Sequence, residues 1–131
     1  MAIKILLDTN TVIYFLKNSL PENGKSFLVN CIISNEAAIS FITTIELLAY
    51  PSITNQEINA AKSLILLLNV IWADENLVDK TIEIRKQSQL KLPDALIAAT
   101  SLVNELQLVT ANTKDFSRVQ LLQIINPLSV N

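Results

Sequence analysis

The stretch that decides the fold is AIKILLDTN, residues 2–10. Its apolar run is interrupted only by Lys4, which predicts a short strand buried on both faces, as in a parallel sheet. Asp8 ends the run, and further polar residues follow it. In parallel α/β sheets ligands bind beyond the carboxyl ends of the strands, so Asp8 is predicted to lie where chemistry takes place.

The rest of the chain alternates short apolar segments with longer amphipathic ones. Further strands are predicted at 37–41, 69–72 and 108–110 and within 119–125. Helices are predicted at 10–16, 23–34, 43–50, 54–68, 75–89 and 93–106, with a turn at 113–116. Strands that alternate with helices predict an α/β fold, a three-layer α/β/α sandwich around a parallel sheet of about five strands. We expect residues 1–131 to form one domain.

The composition excludes several classes of enzyme. The chain has no histidine, which excludes histidine-based triads, histidine general bases and most zinc enzymes. One cysteine, Cys31, excludes an internal disulfide framework, and one glycine, Gly24, excludes glycine-rich phosphate loops. Ten basic and twelve acidic residues give a formal net charge of -2, which disfavours a strongly cationic nucleic-acid binder. Chemistry must therefore use carboxylates, hydroxyls, amides or a bound ion.

No membrane span and no export signal are expected. Asp8 interrupts the first apolar run too early for a secretory signal, and a small-residue cleavage site is missing. The longest apolar run elsewhere, residues 64–73, is broken by Asn69 and is shorter than the roughly 20 residues of a spanning helix. The expected location is the cytoplasm.

Four carboxylates fall near the predicted carboxyl end of the sheet. Asp8 follows the first strand, and Asp115 follows the fourth. Glu46 lies one turn into the helix after the second strand, and Asp94 lies in the first turn of the helix before the fourth. Each has a purely structural alternative, helix capping for Asp8 and Glu46, a favourable helix N-terminus for Asp94 and an ordinary turn for Asp115.

A cation would relieve the repulsion within such a cluster. Two carboxylates about 5 Å apart repel by roughly 3 kcal/mol at an effective dielectric constant of 20. Mg²⁺ and Mn²⁺ prefer oxygen ligands and would offset this repulsion. A bound ion of this kind also lowers the pKa of a water molecule, so a histidine base is not required for hydrolysis.

Four blocks of sequence carry a resemblance to a known family. They are ILLDTN (5–10), TTIELL (43–48), LPDALIAATS (92–101) and LVTANTKDF (108–116). In order and spacing they resemble the PIN domain family, especially its small toxin ribonucleases of VapC type, over essentially the whole chain. One departure is AYP at residues 49–51, which stands where the family has a glycine, so the local turn must differ.

The resemblance implies an endoribonuclease that uses one or two Mg²⁺ or Mn²⁺ ions. The positions that match the family's acidic quartet are Asp8, Glu46, Asp94 and Asp115. We expect the three aspartates to hold the metal or its water, and Glu46 to orient or deprotonate the attacking water. Polar residues beside the quartet are expected to orient these ligands; they are Asn10, Thr110 and Asn112.

Basic residues near the acids predict where RNA phosphates bind. Lys91 precedes Asp94 and Lys114 precedes Asp115, so these two lysines are the predicted substrate contacts. Other basic residues lie nearby in the sequence, namely Arg85, Lys86 and Arg118. A solvated helix face explains Arg85 and Lys86 equally well.

The resemblance also implies protein partners. A toxin of this type acts with a cognate antitoxin in a type II toxin–antitoxin pair. The apolar run 64–68 is predicted to leave an apolar helix face that suits a homodimer or the antitoxin. The larger aromatic residues and the cysteine are predicted to pack in the core; these are Tyr14, Phe15, Phe41, Trp72 and Cys31.

Two other functions remain open from the sequence. Residues 8–12, DTNTV, approach the D-x-D-x-T/V signature of haloacid-dehalogenase-like phosphatases, in which the first aspartate is a nucleophile and the second a general acid. Asn10 stands at the second position and cannot donate a carboxylic proton. The other alternative is a PIN-like domain that binds RNA or protein without cutting it.

Overall fold

The computed structural model describes residues 2–51 and 53–131. In this part of the chain five short strands form one sheet: β1 Ile5–Leu7, β2 Ala37–Ser40, β3 Asn69–Ile71, β4 Gln107–Val109 and β5 Ile124–Ile125. Their order across the sheet is β3-β2-β1-β4-β5, and every neighbouring pair is parallel. The predicted α/β class and five-stranded parallel sheet are therefore confirmed, with β1 at the centre.

Helices connect the strands in the described ranges. They are α1 Thr9–Leu16, α2 Glu22–Ile33, α3 Phe41–Ala49, α4 Asn55–Ile65, α5 Glu75–Ser88, α6 Leu92–Val103 and α7 Thr113–Phe116. The predicted elements are confirmed in type and order, except that the predicted turn at 113–116 is the short helix α7. The helix predicted to reach residue 106 ends at Val103, because Glu105 has a φ of 56°, which an α-helix does not contain.

The central strand sends its side chains alternately into two cores. Leu6 packs in the core that α5 and α6 cover, together with Leu77, Ile84 and Ala98. Ile5 and Leu7 pack on the opposite face of the sheet, in a core lined by Val12, Leu28, Leu47 and Leu64. This alternation follows from the two-residue period of a strand. Helices thus cover both faces, and the predicted three-layer sandwich is confirmed.

Gly24 fixes how α2 meets the C-terminal segment of the chain. It is buried in α2, and a Cβ at this position would overlap the backbone carbonyl oxygen of Pro127. The close approach of the two backbones therefore requires a residue without a side chain.

The aromatic and apolar residues at the surface correct two predictions. Trp72 was predicted to pack in the core, and this is wrong: it is 68% exposed because β3 is an edge strand that ends one residue earlier. Its ring stacks on Phe41 instead, with the ring centroids 6.3 Å apart. Cys31 is buried as predicted. Leu66 and Leu67 are 86% and 61% exposed, but α4 ends at Ile65, so the predicted apolar helix face over 64–68 is wrong and the exposed leucines lie just after the helix.

Across the described ranges, no helix combines the length and apolar character that crossing a bilayer requires.

Candidate active site

Asp8 is the buried carboxylate at the centre of the candidate site. It directly follows β1 and caps α1, with its Oδ1 accepting a hydrogen bond from the backbone N–H of Thr11 at 2.8 Å. Its Oδ2 accepts a hydrogen bond from Thr110 Oγ1 at 2.5 Å. Asp8 is only 5% exposed, and this burial raises the pKa of its carboxyl group, although both hydrogen bonds oppose that shift. The capping role is thus confirmed, but it uses only one of the two oxygens.

The register of the sheet brings Thr110 to Asp8. Leu7 of β1 pairs with Val109 of β4, so the residues that follow them leave the sheet side by side. The backbone N–H of Asp8 donates to the Val109 carbonyl at 3.2 Å, and Thr11 Oγ1 donates to the same carbonyl at 3.0 Å. The carboxyl ends of the two central strands are therefore linked through both backbone and side chains.

Glu46 reaches the site from α3 and is held by the start of α1. Its Oε1 accepts a hydrogen bond from Thr9 Oγ1 at 2.6 Å, and that hydroxyl lies 3.0 Å from Thr43 Oγ1. The helix α3 is capped by Ser40, whose hydroxyl accepts a hydrogen bond from the backbone N–H of Ile42. Capping as the alternative role of Glu46 is therefore wrong, and its carboxylate faces Thr9 instead.

Asp94 lies in the first turn of α6, among the other acids. Its pKa is raised, first by burial and then by the negative charges of Asp8, Glu46 and Asp115, while the positive charge of Lys91 opposes the shift. A common depression in the surface is lined by Asp8, Thr9, Asn10, Glu46, Asp94 and Ile97. We call this the carboxylate depression. The pKa of Asp94 is therefore raised by the charges of all three other carboxylates of the quartet.

Asp115, in α7, is held by two donors. Its Oδ2 accepts a hydrogen bond from Asn112 Nδ2 at 3.1 Å, and its Oδ1 lies 3.2 Å from Arg118 Nη2. The backbone N–H of Asn112 in turn donates to Thr110 Oγ1 at 3.0 Å. A chain of polar contacts therefore runs from Arg118 at the surface to Asp8 in the interior. Asp115 is not an isolated turn residue.

A second depression adjoins the first. Its charged and polar lining consists of Gln89, Lys91, Asp94, Asn112, Asp115 and Arg118. We call it the basic depression, after its two cationic residues, Lys91 and Arg118. Both lie next to acids. Asp94 lines both depressions, so they are neighbours at the carboxyl end of the sheet.

The structure places the predicted site residues unevenly. The four carboxylates and the polar residues Asn10, Thr110 and Asn112 lie in or beside the two depressions. Of the two predicted substrate contacts, Lys91 lines the basic depression, whereas Lys114 is exposed on α7 and lines neither. Thr9 was not predicted as a site residue. Its position directly after Asp8 is the sequence feature that could have indicated it. Its partner Glu46 is 37 residues away.

The donor set matches a divalent cation in chemistry. Carboxylate and amide oxygens are the ligands that Mg²⁺ and Mn²⁺ prefer, and the negative charge around Asp94 favours a cation there. Among residues 2–51 and 53–131, no three acidic or cysteine side chains are assembled as a metal-binding cluster. Asp8, Glu46 and Asp115 each bind a hydroxyl or basic neighbour instead. Cation binding would therefore have to draw the carboxylates together.

Comparisons with known proteins agree with this architecture. A model of the PIN domain family matches residues 5–122. A DNA-bound VapBC structure from Salmonella typhimurium has a TM-score of 0.84 and 26% identity, and the match covers 95% of this chain and 98% of that one. VapBC-1 from nontypeable Haemophilus influenzae has a TM-score of 0.77 and 26% identity, over 98% and 100% of the two chains. A toxin–antitoxin complex from Klebsiella pneumoniae gives 0.76 and 26%, over 95% and 98%. Among curated protein sequences, none matches this chain.

Proposed function

The chain belongs to the PIN domain family, and from this premise we propose that it is a metal-dependent endoribonuclease, the toxin of a type II toxin–antitoxin pair. One observation carries the proposal. Four carboxylates from separate segments line two adjoining depressions at the carboxyl end of the sheet, and burial, followed by the charges of Asp8, Glu46 and Asp115, raises the pKa of Asp94. Such a concentration of negative charge is costly without a cation. The likeness to two VapBC structures and to a further toxin–antitoxin complex supports the role of toxin.

The three aspartates are the proposed ligands of Mg²⁺ or Mn²⁺. Asp8, Asp94 and Asp115 supply the hard oxygen atoms that such an ion takes. When bound, the ion would supply charge stabilisation for the phosphodiester and a water molecule of lowered pKa. Thr110 fixes the orientation of the Asp8 carboxylate through the hydrogen bond to Oδ2, and Asn112 does the same for Asp115. Asn10 lines the carboxylate depression and would orient a ligand or the substrate.

Glu46 is the proposed general base. Its carboxylate lines the carboxylate depression, and Thr9 Oγ1 donates to Oε1. This hydrogen bond leaves Oε2 as the oxygen that would orient the attacking water and accept its proton. Thr9 therefore acts as a positioning residue, because it sets the direction in which the carboxylate points.

The substrate and partner proposals rest on charge and exposed apolar surface. Lys91 would bind an RNA phosphate, since it lies in the basic depression next to Asp94, and Lys114 would contact RNA farther out on α7. Leu66 and Leu67 offer an exposed apolar surface for a homodimer or for the antitoxin.

We further propose that residues 1–131 act as one domain in the cytoplasm.

The phosphatase alternative is not favoured. Asn10 stands where that chemistry needs an acid, and both oxygens of Asp8, the would-be nucleophile, accept hydrogen bonds. The family assignment also points away from it. A PIN domain that binds RNA without cutting it is the alternative that the experiment below addresses.

A cleavage assay tests the proposed function. Purified protein is incubated with labelled single-stranded RNA and, separately, with a small phosphate ester, in Mg²⁺, Mn²⁺ or EDTA. We expect RNA cleavage that needs the metal and falls at least about a hundredfold in Asp8→Asn and Asp94→Asn, which remove one proposed ligand each. Asp79→Asn, an exposed acid on α5, is the matched control and should cut like the wild type. Cleavage that survives both site variants would overturn the site assignment, and RNA binding without any cleavage would favour the non-catalytic alternative.

A further inference from the structure

The basic depression places two cations of different chemistry beside the acids. Lys91 is the N-cap residue of α6, and Arg118 lies just beyond α7. Both line the same depression, together with the amide side chain of Gln89. A cation elsewhere on the surface is explained by solvation alone. Lys91 and Arg118, by contrast, line a depression that Asp94 also lines. Asp94 and Asp115 line the depression as well, so an anion that binds there would have to contact the two cationic groups directly.

Arg118 is oriented by the polar chain that begins at Asp8. Its Nη2 lies 3.2 Å from Asp115 Oδ1, and the other oxygen of Asp115 is held by Asn112. A guanidinium carries five N–H donors, and the contact with Asp115 engages Nη2. The remaining donors lie on a side chain that is 49% exposed, so a second anion can reach them. Arg118 is therefore oriented by one carboxylate and still accessible from solvent.

We propose that Arg118 and Lys91 bind the RNA phosphate next to the one that is cut. The inference rests on the proposed function, since it assumes that RNA enters the carboxylate depression. Because the two depressions share Asp94, a strand whose reacting phosphate lies at the carboxylates places an adjacent phosphate in the basic depression. A planar guanidinium can bind two phosphate oxygens at once, whereas the lysine ammonium adds a point charge. Arg118 is thus a substrate-binding residue, and Lys114, outside both depressions, is not equivalent to it.

This arrangement would fix the register of the substrate. A phosphate held by Arg118 and Lys91 keeps its neighbour at the carboxylates, whichever way the strand runs. Phosphate contacts of this kind set register without reading the base sequence. The inference therefore concerns how RNA is positioned and not which sequence is preferred.

Equilibrium binding without metal tests the proposal. Fluorescence anisotropy with a short labelled single-stranded RNA in EDTA measures affinity while cleavage is prevented. We expect Arg118→Gln to weaken binding about fivefold near 0.1 M salt and to reduce the salt slope by about 0.7, the value for one phosphate contact to a single strand. Arg118→Lys should restore the slope but only part of the affinity, because it keeps the charge and loses the fork. Lys62→Gln, an exposed cation on α4 outside both depressions, should bind like the wild type.

A further variant separates phosphate binding from support of Asp115. If Arg118 acted only by holding that carboxylate, Asp115→Asn would weaken RNA binding in EDTA as Arg118→Gln does. We expect it to bind at least as tightly as the wild type, because a negative charge beside the phosphate is removed. Equal affinity and equal slope for Arg118→Gln and wild type would overturn the inference. If the wild type cuts RNA, that result leaves the proposed function intact, whereas a wild type that neither binds nor cuts RNA overturns both.

Discussion

At the scale of single residues, Asp94 shows the conflict between stability and function most clearly. Burial and three neighbouring negative charges raise the pKa of its carboxyl group in the folded protein. A raised pKa means that folding disfavours the ionised form, so the charge present at neutral pH opposes folding. The site therefore carries a destabilising charge in the absence of a cation.

This predicts that Asp94→Asn stabilises the metal-free protein. The amide keeps the shape and removes the charge, so we expect the melting temperature in EDTA to rise by about 2 °C, a modest value because the carboxylate is partly solvated. Thermal denaturation followed by circular dichroism measures it. The control Asp79→Asn, on the exposed face of α5, should leave the melting temperature unchanged. An unchanged or lower melting temperature for Asp94→Asn would mean that the neighbouring charges do not oppose folding.

The carboxylates could be predicted from the sequence, but their partners could not. Asp8 directly follows β1 and Asp115 lies in the short segment after β4, positions that sequence patterns reveal. The contact between Thr9 and Glu46 depends on how α1 lies against α3, and the contact between Asp115 and Arg118 depends on side-chain direction. Lys114, and not Arg118, was predicted as a substrate contact because it precedes Asp115 in the sequence. Of these two residues, Arg118 is the one that lines the basic depression.

At the scale of elements, Gly24 tests how α2 is packed. Replacing glycine by alanine within a helix normally stabilises it by up to about 1 kcal/mol. Here the added Cβ would meet the carbonyl oxygen of Pro127, which is backbone and cannot move aside cheaply. We expect Gly24→Ala to lower the free energy of unfolding by about 2 kcal/mol in urea titrations.

The sign of the change makes this a sharp test. Asn23→Ala, at the exposed position next to it in α2, is the control and should be neutral or slightly stabilising. A Gly24→Ala protein more stable than the wild type would show that the C-terminal segment does not pack on α2 as described.

Element type was easier to predict from sequence than element ends. Apolar periodicity identified every strand and the helices α1 to α6, but several ends depend on backbone conformations that the residue type does not announce. Glu105 adopts a left-handed conformation after α6, and Gln89 does so after α5, with φ values of 56° in both cases. Neither is the glycine or asparagine that usually marks such a position. Periodicity also could not show that β3 is an edge strand. Trp72 is exposed because it follows that edge strand.

At the scale of the whole molecule, the exposed leucines after α4 point to association. Leu66 and Leu67 stand largely in solvent, although the residues beside them, Leu64 and Leu68, are buried. We expect the protein to be heavier than its 14.5 kDa monomer by light scattering, and the double variant Leu66→Ser/Leu67→Ser to shift it toward the monomer. Its melting temperature should change little, since neither side chain packs in a core. If the wild type remains a monomer by itself and forms no complex with an antitoxin, Leu66 and Leu67 do not form an association surface.

The order of the strands is another property that only the whole molecule shows. The sequence predicted five strands and their parallel direction, because helices of crossover length separate the first four. It did not predict the order β3-β2-β1-β4-β5, which places β1 between β2 and β4. That order brings Asp8 to Thr110 and thereby joins the first and last thirds of the chain at one site.

The central claim is that the three aspartates of the quartet form a cation site, and calorimetric titration with Mn²⁺ tests it most directly. We predict saturable binding to the wild type and binding at least about tenfold weaker to Asp94→Asn, with Asp79→Asn indistinguishable from the wild type. If the wild type binds no Mn²⁺, or if Asp94→Asn binds it as tightly as the wild type does, the carboxylates do not form that site.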